Sequence, residues 1–398
     1  MTHRRRIAVL VEWSRAYGRG VLRGISTYAR THGTWKIFHS ERRLSDAEPS
    51  WLKNWQGDGI IARIESRRLL AQLEQKKLPT VNLFEQAEAE AIPKILTNEE
   101  AVGRLAACHL MERGLMHFAY CGLAGIPSSD MREEAFARHL AAAGHEVRVY
   151  RNPHQRHATF LSSTEEYELL CEETVTAWVR SLPKPVGLLA CNDFRAHQIL
   201  VTCGENGIAV PEEVAVLGID NDELVCELCQ PPLSSIELNA ERVGYEASVL
   251  LDRMIGGDLA PPLLTLIDPK GVVPRQSTDV VAVADTDVAA AVHFIRERAC
   301  QGIHVDEVLR HVQLSRSTLE RRFARILGRS AKAEIDRVRL DRVKQLLAMT
   351  DYPLAKIAQL AGFSYVEGMC YLFKKTLGKT PGKYRKDAQA RCQDSGES

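Results

Sequence analysis

The sequence predicts an α/β body of two parallel-sheet lobes, followed by an all-α domain with two helix-turn-helix motifs. Three observations carry this reading. From residue 6 to about residue 275, short apolar runs alternate with amphipathic stretches, as expected of β-α-β units whose sheets are covered on both faces. From 286 to 390 the apolar spacing becomes helical throughout. Within that region one pattern is written twice, at Val305–Phe323 and Leu354–Phe373. Val308, Val312, Leu314 and Ser315 recur 49 residues on as Ile357, Ala361, Phe363 and Ser364, whereas Phe323 recurs at 373, so the second copy carries one extra residue.

The expected strands of the body are Arg6–Glu12, Trp35–His39, Asp58–Ile64, Thr80–Phe84, Lys94–Asn98, His117–Leu123, Glu146–Arg151, Val186–Asn192, Val214–Asp220 and Ser234–Leu238. Between them, Gly18–Thr31, Glu99–Arg113, Glu133–Ala143, Glu165–Ser181, Arg195–Asn206 and Ala240–Ile255 have helical periodicity. So many strands exceed one comfortable core, which favours two similar lobes. A closed barrel is the alternative, but no eightfold regularity is visible. The expected division is 1–280 for the body, 281–286 for a linker, 287–390 for the helical domain and 391–398 for a polar tail.

In the helical domain, Asp287–Cys300 opens with an acid that complements the helix dipole. Val305–His311 then supports a second helix, Arg316–Leu327, for which Ser315 is the expected N-cap. Leu319, Phe323 and Leu327 face inward at i, i+4, i+8. Lys332–Met349 is long and amphipathic enough to bridge the two copies. In the second copy Leu354–Leu360 precedes Gly362 and Ser364, and Tyr365–Leu377 ends at Gly378, Thr380 and Pro381.

Charge separates the two parts. The net charge of the whole chain is only +1. Residues 286–398, however, hold 21 basic and 13 acidic side chains, a net of +8, and the first 285 hold 31 and 38, a net of −7. A basic helical module on an acidic body is the asymmetry of a double-stranded DNA reader with a separate sensing domain. The apolar run Ile7–Val11 is too short for a secretion signal. No stretch approaches the roughly 20 apolar residues of a membrane span, so a cytoplasmic protein is expected. The ten cysteines are scattered, and Cys226/Cys229 form a lone CxxC with no second pair or nearby histidine pair. Reduced core thiols are the plain reading, with no metal or cofactor implied.

In open parallel sheets ligands sit beyond the carboxyl ends of the strands. That rule selects Trp13 (with Glu12 and Ser14), Asn98, Asn192, Asp193 and Asp220, together with Arg132, placed at the opening of a helix. An indole, carboxylates, amides and one arginine suit a neutral polyhydroxylated ligand: carboxylates and amides bond adjacent hydroxyls, and a sugar's C–H face stacks on the ring. Each residue also has an ordinary explanation. Asp193 and Asp220 could be helix caps, Trp13 could be core, and Arg132 could be a solvated charge.

The segments GRGVLRGISTYAR, LLACNDFRAHQIL, VAVLGIDND and VVPRQSTD resemble the effector domain of lactose-repressor-type regulators, a two-lobed periplasmic-binding-protein-like fold. The resemblance implies sugar contacts at Arg132, Asp193 (or Asn192) and Asp220; that family usually has Asp where this chain has Asn98. IAQLAGFS and FKKTLGKTPGKYR resemble the AraC/XylS family, with the glycine, the aromatics and the Thr-Pro at family spacing. Gly368 and Met369 depart from it, replacing more polar residues. In the first copy, Ser315, Arg316, Ser317, Glu320, Arg321, Arg322 and Arg325 are the expected DNA contacts. Arg321, Arg322 and Arg325 suit phosphates; Arg316, Ser317 and Glu320 suit bases. In the second they are Ser364, Tyr365, Lys374 and Lys375. Over its whole length the chain resembles the xylose-operon regulators of enteric bacteria. This implies a sugar-responsive transcription activator, homodimeric, with D-xylose the first effector to test and RNA polymerase a partner. A different small sugar or polyol is the nearest alternative. A rival of another class is an enzyme-like α/β domain with Cys191 as nucleophile, but Asp193 stands where the small residue of a nucleophile elbow belongs. A third is a DNA-binding scaffold with a vestigial cleft.

Overall fold

In the computed structural model, residues 4–33, 35–41, 49–85, 91–152, 172–257, 260–280 and 285–386 are described. The chain divides into two compact units, 1–280 and 281–398.

The first unit holds two six-stranded sheets. Arg5–Leu10 (β1), Trp35–Phe38 (β2), Gly59–Ala62 (β3), Thr80–Asn82 (β4), Lys94–Thr97 (β5) and Leu264–Ile267 (β11) pair in the order β11-β5-β4-β3-β1-β2. All of these pairings are parallel, with Ile7 opposite Gly59 and Ala8 opposite Ile60. The run Ile7–Val11 reads as continuously apolar because both faces of β1 are covered. Ile7, Val9 and Val11 pack under helices α1 (Ala16–His32) and α8 (Ala240–Ile255). Ala8 and Leu10 pack on the opposite side with Trp55 and with Leu69 and Leu73 of α2 (Arg67–Lys76). Helices α1 and α8 touch backbone to backbone. A Cβ on Gly24 would lie 2.0 Å from the Glu241 carbonyl oxygen, so this segment needs glycine for close approach.

The second sheet joins His117–Cys121 (β6), Val147–Val149 (β7), Val186–Ala190 (β8), Val214–Ile219 (β9), Ser234–Glu237 (β10) and Gly271–Val273 (β12) in the order β12-β10-β9-β8-β6-β7. It is parallel except for the β10/β12 pair. Its helices are α3 (Glu99–Met111), α4 (Pro127–Ala142), α5 (Glu172–Ser181), α6 (Asp193–Glu205) and the short α7 (Glu223–Leu228).

Each expected strand is present, ending one or two residues sooner than its apolar run. Strands β11 and β12 were not anticipated; both are short edge strands, and β11 is half-exposed along its length. Helix α2 was also missed, though Ser66 caps it by accepting from Leu69 N at 3.0 Å. Helix α4 begins six residues before the expected Glu133, with Pro127 in its first turn. Pro127 reads as a loop signal, but proline is tolerated at a helix start, where its missing N–H is no loss. Arg132 therefore sits inside α4 instead of opening it. Of the expected helix Glu165–Ser181, residues 165–171 lie outside the described residues.

The second unit comprises α9 (Thr286–Arg298), α10 (Val305–Val312), α11 (Arg316–Leu327), α12 (Ala331–Met349), α13 (Leu354–Leu360) and α14 (Val366–Leu377). It has two cores. Val308, Leu319 and Phe323 close the first with Ala331 and Ile335; Ile357, Met369 and Phe373 close the second with Val343 and Leu347. Helix α12 supplies both and is the bridge its pattern suggested. Gly362 turns between α13 and α14 at φ 75°, and a Cβ there would lie 2.6 Å from the Ala299 carbonyl oxygen. Of the expected linker, 281–284 lie outside the described residues; Asp285 caps α9 and Thr286 begins it. The tail 391–398 also lies outside them.

Candidate functional site

In the first unit the carboxyl ends of the two sheets line one cavity. Glu12, Arg63, Phe84 and Glu85 enter it from the first sheet, and Arg132, Asn192, Phe194 and Asp220 from the second. Of the six principal residues expected there, Arg132, Asn192 and Asp220 line it, and so does Glu12, which was expected beside Trp13.

Arg132 is 8% exposed. Its Nε and Nη2 donate to the two Glu99 carboxylate oxygens at 2.7 and 3.0 Å, and Nη1 donates to the Cys191 carbonyl at 2.6 Å. This two-pronged pairing fixes the guanidinium plane. Burial opposes the charge, but the Glu99 carboxylate more than offsets it, holding Arg132 above its ordinary range. Asn192 caps α6, its Oδ1 accepting from Arg195 N at 2.8 Å. Asp220 and Asn221 have φ of 109° and 50°, a backbone strain of the kind that concentrates at binding sites.

The other three are placed elsewhere. Asp193 is wholly buried beneath the cavity wall, accepting from Ser235 Oγ at 2.6 Å and Asp222 N at 2.7 Å. Burial, and then the charge of Asp220, push its carboxyl well above the usual range. Asn98 caps α3 by accepting from Ala101 N at 3.2 Å and donates to Asp268 at 2.7 Å. Trp13 is 43% exposed, its ring 5.5 Å from that of His39.

Sequence reasoning missed several lining residues. The Arg63 guanidinium carbon lies 5.7 Å from the Tyr17 ring and 5.4 Å from the Phe84 ring, and that of Arg15 lies 3.6 Å over Phe194. Glu85 has its carboxyl raised to about 7, by burial first and then by the nearby Glu99 charge. Arg63, Phe84 and Glu85 all lie at strand ends, so the same rule extended to every strand finds them. The Cys226 and Cys229 thiols are buried, and burial raises both, Cys229 to about 12, which suits inert core thiols.

The second unit offers two unequal helix faces. On α11, Ser315 accepts from Thr318 N at 3.3 Å as N-cap. Arg316, Ser317, Arg321 and Arg325 are exposed and Glu320 is half-buried. Arg322 is engaged within the unit: Nη1 donates to Asp285 Oδ1 at 3.0 Å and to Asp287 Oδ2 at 2.9 Å. On α14, Ser364, Tyr365, Lys374 and Lys375 are exposed. Tyr371, which was not anticipated, is 69% exposed with Lys375 Nζ 6.0 Å from its ring centre. Met369 is fully buried, so of the two departures from family pattern only Gly368 bears on the outer face.

Three family models match: the XylR N-terminal domain over residues 6–97, a periplasmic binding protein-like domain over 107–278 and a helix-turn-helix domain over 308–387. The chain is 33% identical over 392 residues to the xylose operon regulatory protein of Escherichia coli K12, covering 96% of this chain and 97% of that one. It is 31% identical to the protein of the same name from Haemophilus influenzae, covering 96% and 98%. A solved structure described as the xylose-binding transcription activator XylR superposes with a TM-score of 0.78 at 32% identity, covering 97% of this chain and 98% of that one. These relatives are transcription regulators, so the enzyme reading around Cys191 is set aside. The chain belongs to the xylose operon regulatory protein family, transcription regulators in which a periplasmic-binding-protein-like body precedes an AraC-type helix-turn-helix module.

Proposed function

We propose that the chain is a one-component activator in which D-xylose enters the cavity of the body (1–280) and alters promoter binding by the helical domain (287–390). The observation that carries this reading is the cavity at the converging strand ends, with paired charges and aromatic walls, on the same chain as a doubled helix-turn-helix. The names of the full-length relatives support the choice of sugar. In the cavity, Arg132 donates to ring or hydroxyl oxygens, while Asn192 and Asp220 engage hydroxyls. Asp193 holds the Asp220–Asp222 loop by accepting from Asp222 N.

On DNA, Arg316, Ser317 and Glu320 read base edges while Arg321 and Arg325 hold phosphates; Ser364, Tyr365, Lys374 and Lys375 hold the adjoining groove. The regulator works in the cytoplasm as a homodimer and recruits RNA polymerase. The sugar acts by binding one lobe arrangement better than another. A thermal-shift panel of pentoses and hexoses tests this. A ligand at a hundred times its Kd stabilises the native state by about 2.7 kcal/mol, so D-xylose should raise the melting midpoint and change promoter affinity. No shift with any sugar at millimolar concentration would favour the vestigial scaffold.

A further inference from the structure

Among the described residues, two carboxylate oxygens at the cavity have no hydrogen-bond partner: Glu12 Oε1 and Glu85 Oε2. Glu12 is 5% exposed. Its Oε2 accepts from Arg15 N at 3.1 Å and from Ser14 Oγ at 3.3 Å, which fixes the group. Arg63 Nη1 stands 3.8 Å from Oε1, beyond hydrogen-bond reach. Gly18 makes room for this arrangement, since a Cβ there would lie 2.5 Å from Glu12 Oε1. Of the cavity's arginines, Arg132 is hydrogen-bonded to Glu99, and Arg63 forms an ion pair with Glu65 at 3.0 Å. Glu12 Oε1 and Glu85 Oε2 are therefore acceptors that a ligand donor can satisfy.

We propose that Glu12 and Glu85 determine effector specificity, each accepting a hydrogen bond from a hydroxyl of a neutral polyol, and that together they reject acidic sugars. This rests on the reading of the body as a small-sugar sensor and says how that sensor chooses. A buried acceptor without a partner destabilises the empty protein, and a ligand hydroxyl relieves that cost. An aldonate would bring a like charge to the same place.

Calorimetric titration of the full chain with D-xylose and D-xylonate tests the assignment, using wild type, Glu12→Gln and Glu85→Gln, each also melted without ligand. Wild type should bind D-xylose at least tenfold more tightly than D-xylonate. Each variant should lose about tenfold for D-xylose, narrow the gap to the acid below threefold, and melt no lower than wild type when empty. A purely structural residue would lower the melting midpoint when replaced. Variants that keep wild-type affinity and discrimination, or that lose affinity only together with melting temperature, overturn the assignment. If neither D-xylose nor any other neutral pentose or hexose binds wild type, the sensor reading falls and takes this one with it. If another neutral sugar binds, that sugar and its aldonate take the same arms, with the same outcomes deciding.

Discussion

The cavity of the body and the outer face of α11 are built from the same charged residue types, and they differ in where the charges meet water. In the cavity, Arg132 and Glu99 are 9% and 5% exposed at their side chains and locked to each other. On the helix face, the side chains of Arg316 and Arg325 are 66% and 72% exposed and lie 3.7 and 4.0 Å from their acidic neighbours. Buried charges are weakly screened, and removing a partner is costly. Exposed charges are strongly screened and cheap to change. On the proposed function, the same amino acids would thus serve a buried pocket in one place and a salt-sensitive DNA-binding face in the other.

Salt should separate the two regions most. An interface neutralising six to ten phosphates loses about 10³–10⁵ in DNA affinity between 50 and 200 mM salt. Affinity for a neutral sugar should change by less than about twofold over that range, since the buried pairs are screened little. Equal salt slopes in fluorescence titrations of the two ligands would break the comparison.

Next comes the cost of deleting one arginine from each region. Arg132→Leu strands Glu99 without its partner and should cost about 3–5 kcal/mol of stability in a denaturant melt. Arg321→Ala should leave stability within about 0.5 kcal/mol, while weakening binding to all DNA sequences and lowering the salt slope by roughly 0.9. An Arg132 variant that melts like wild type would mean that the Glu99 pairing is not a structural bond.

The contrast between the regions also explains what was legible. Two lobes, parallel sheets and a doubled helix-turn-helix all follow from apolar spacing, because strands covered on both faces and amphipathic helices write their burial directly into the sequence. The edge strands β11 and β12 escaped because a half-exposed strand has no such signature. In the cavity, Arg132 and Asp220 were visible from position and family motif. Asp193 was not visible as a buried support, because helix start, ligand and loop anchor all favour aspartate after a strand. Glu85 and Arg63 also follow strands and obey the strand-end rule, but their partnerships, such as the 3.8 Å approach of Arg63 to Glu12 between neighbouring strands of one sheet, leave no local spacing to read. Arg322 looks like its neighbours Arg321 and Arg325 along the chain. Only the fold brings Asp285 and Asp287 onto it.

The smallest expected effect is in pH, and it tests whether the cavity's charges respond to burial as the helix face does not. Glu85 titrates at about 7 in the folded protein, raised by burial and by Glu99 against the attraction of Arg132 and Lys94. The empty folded state thus holds this proton more tightly than the unfolded chain, so Glu85 makes the protein lose stability as pH rises from about 4.5 through 7. A hydroxyl donating to the carboxylate favours its ionised form, so sugar binding should release the proton. Affinity should therefore rise up to about tenfold from pH 6 to pH 8 and level off above, since at one unit below its pKa only about a tenth of the group is ionised. Glu85→Gln should flatten that profile. A sugar-binding profile that keeps its slope in Glu85→Gln would move the titration to another group and remove the cavity's distinguishing response.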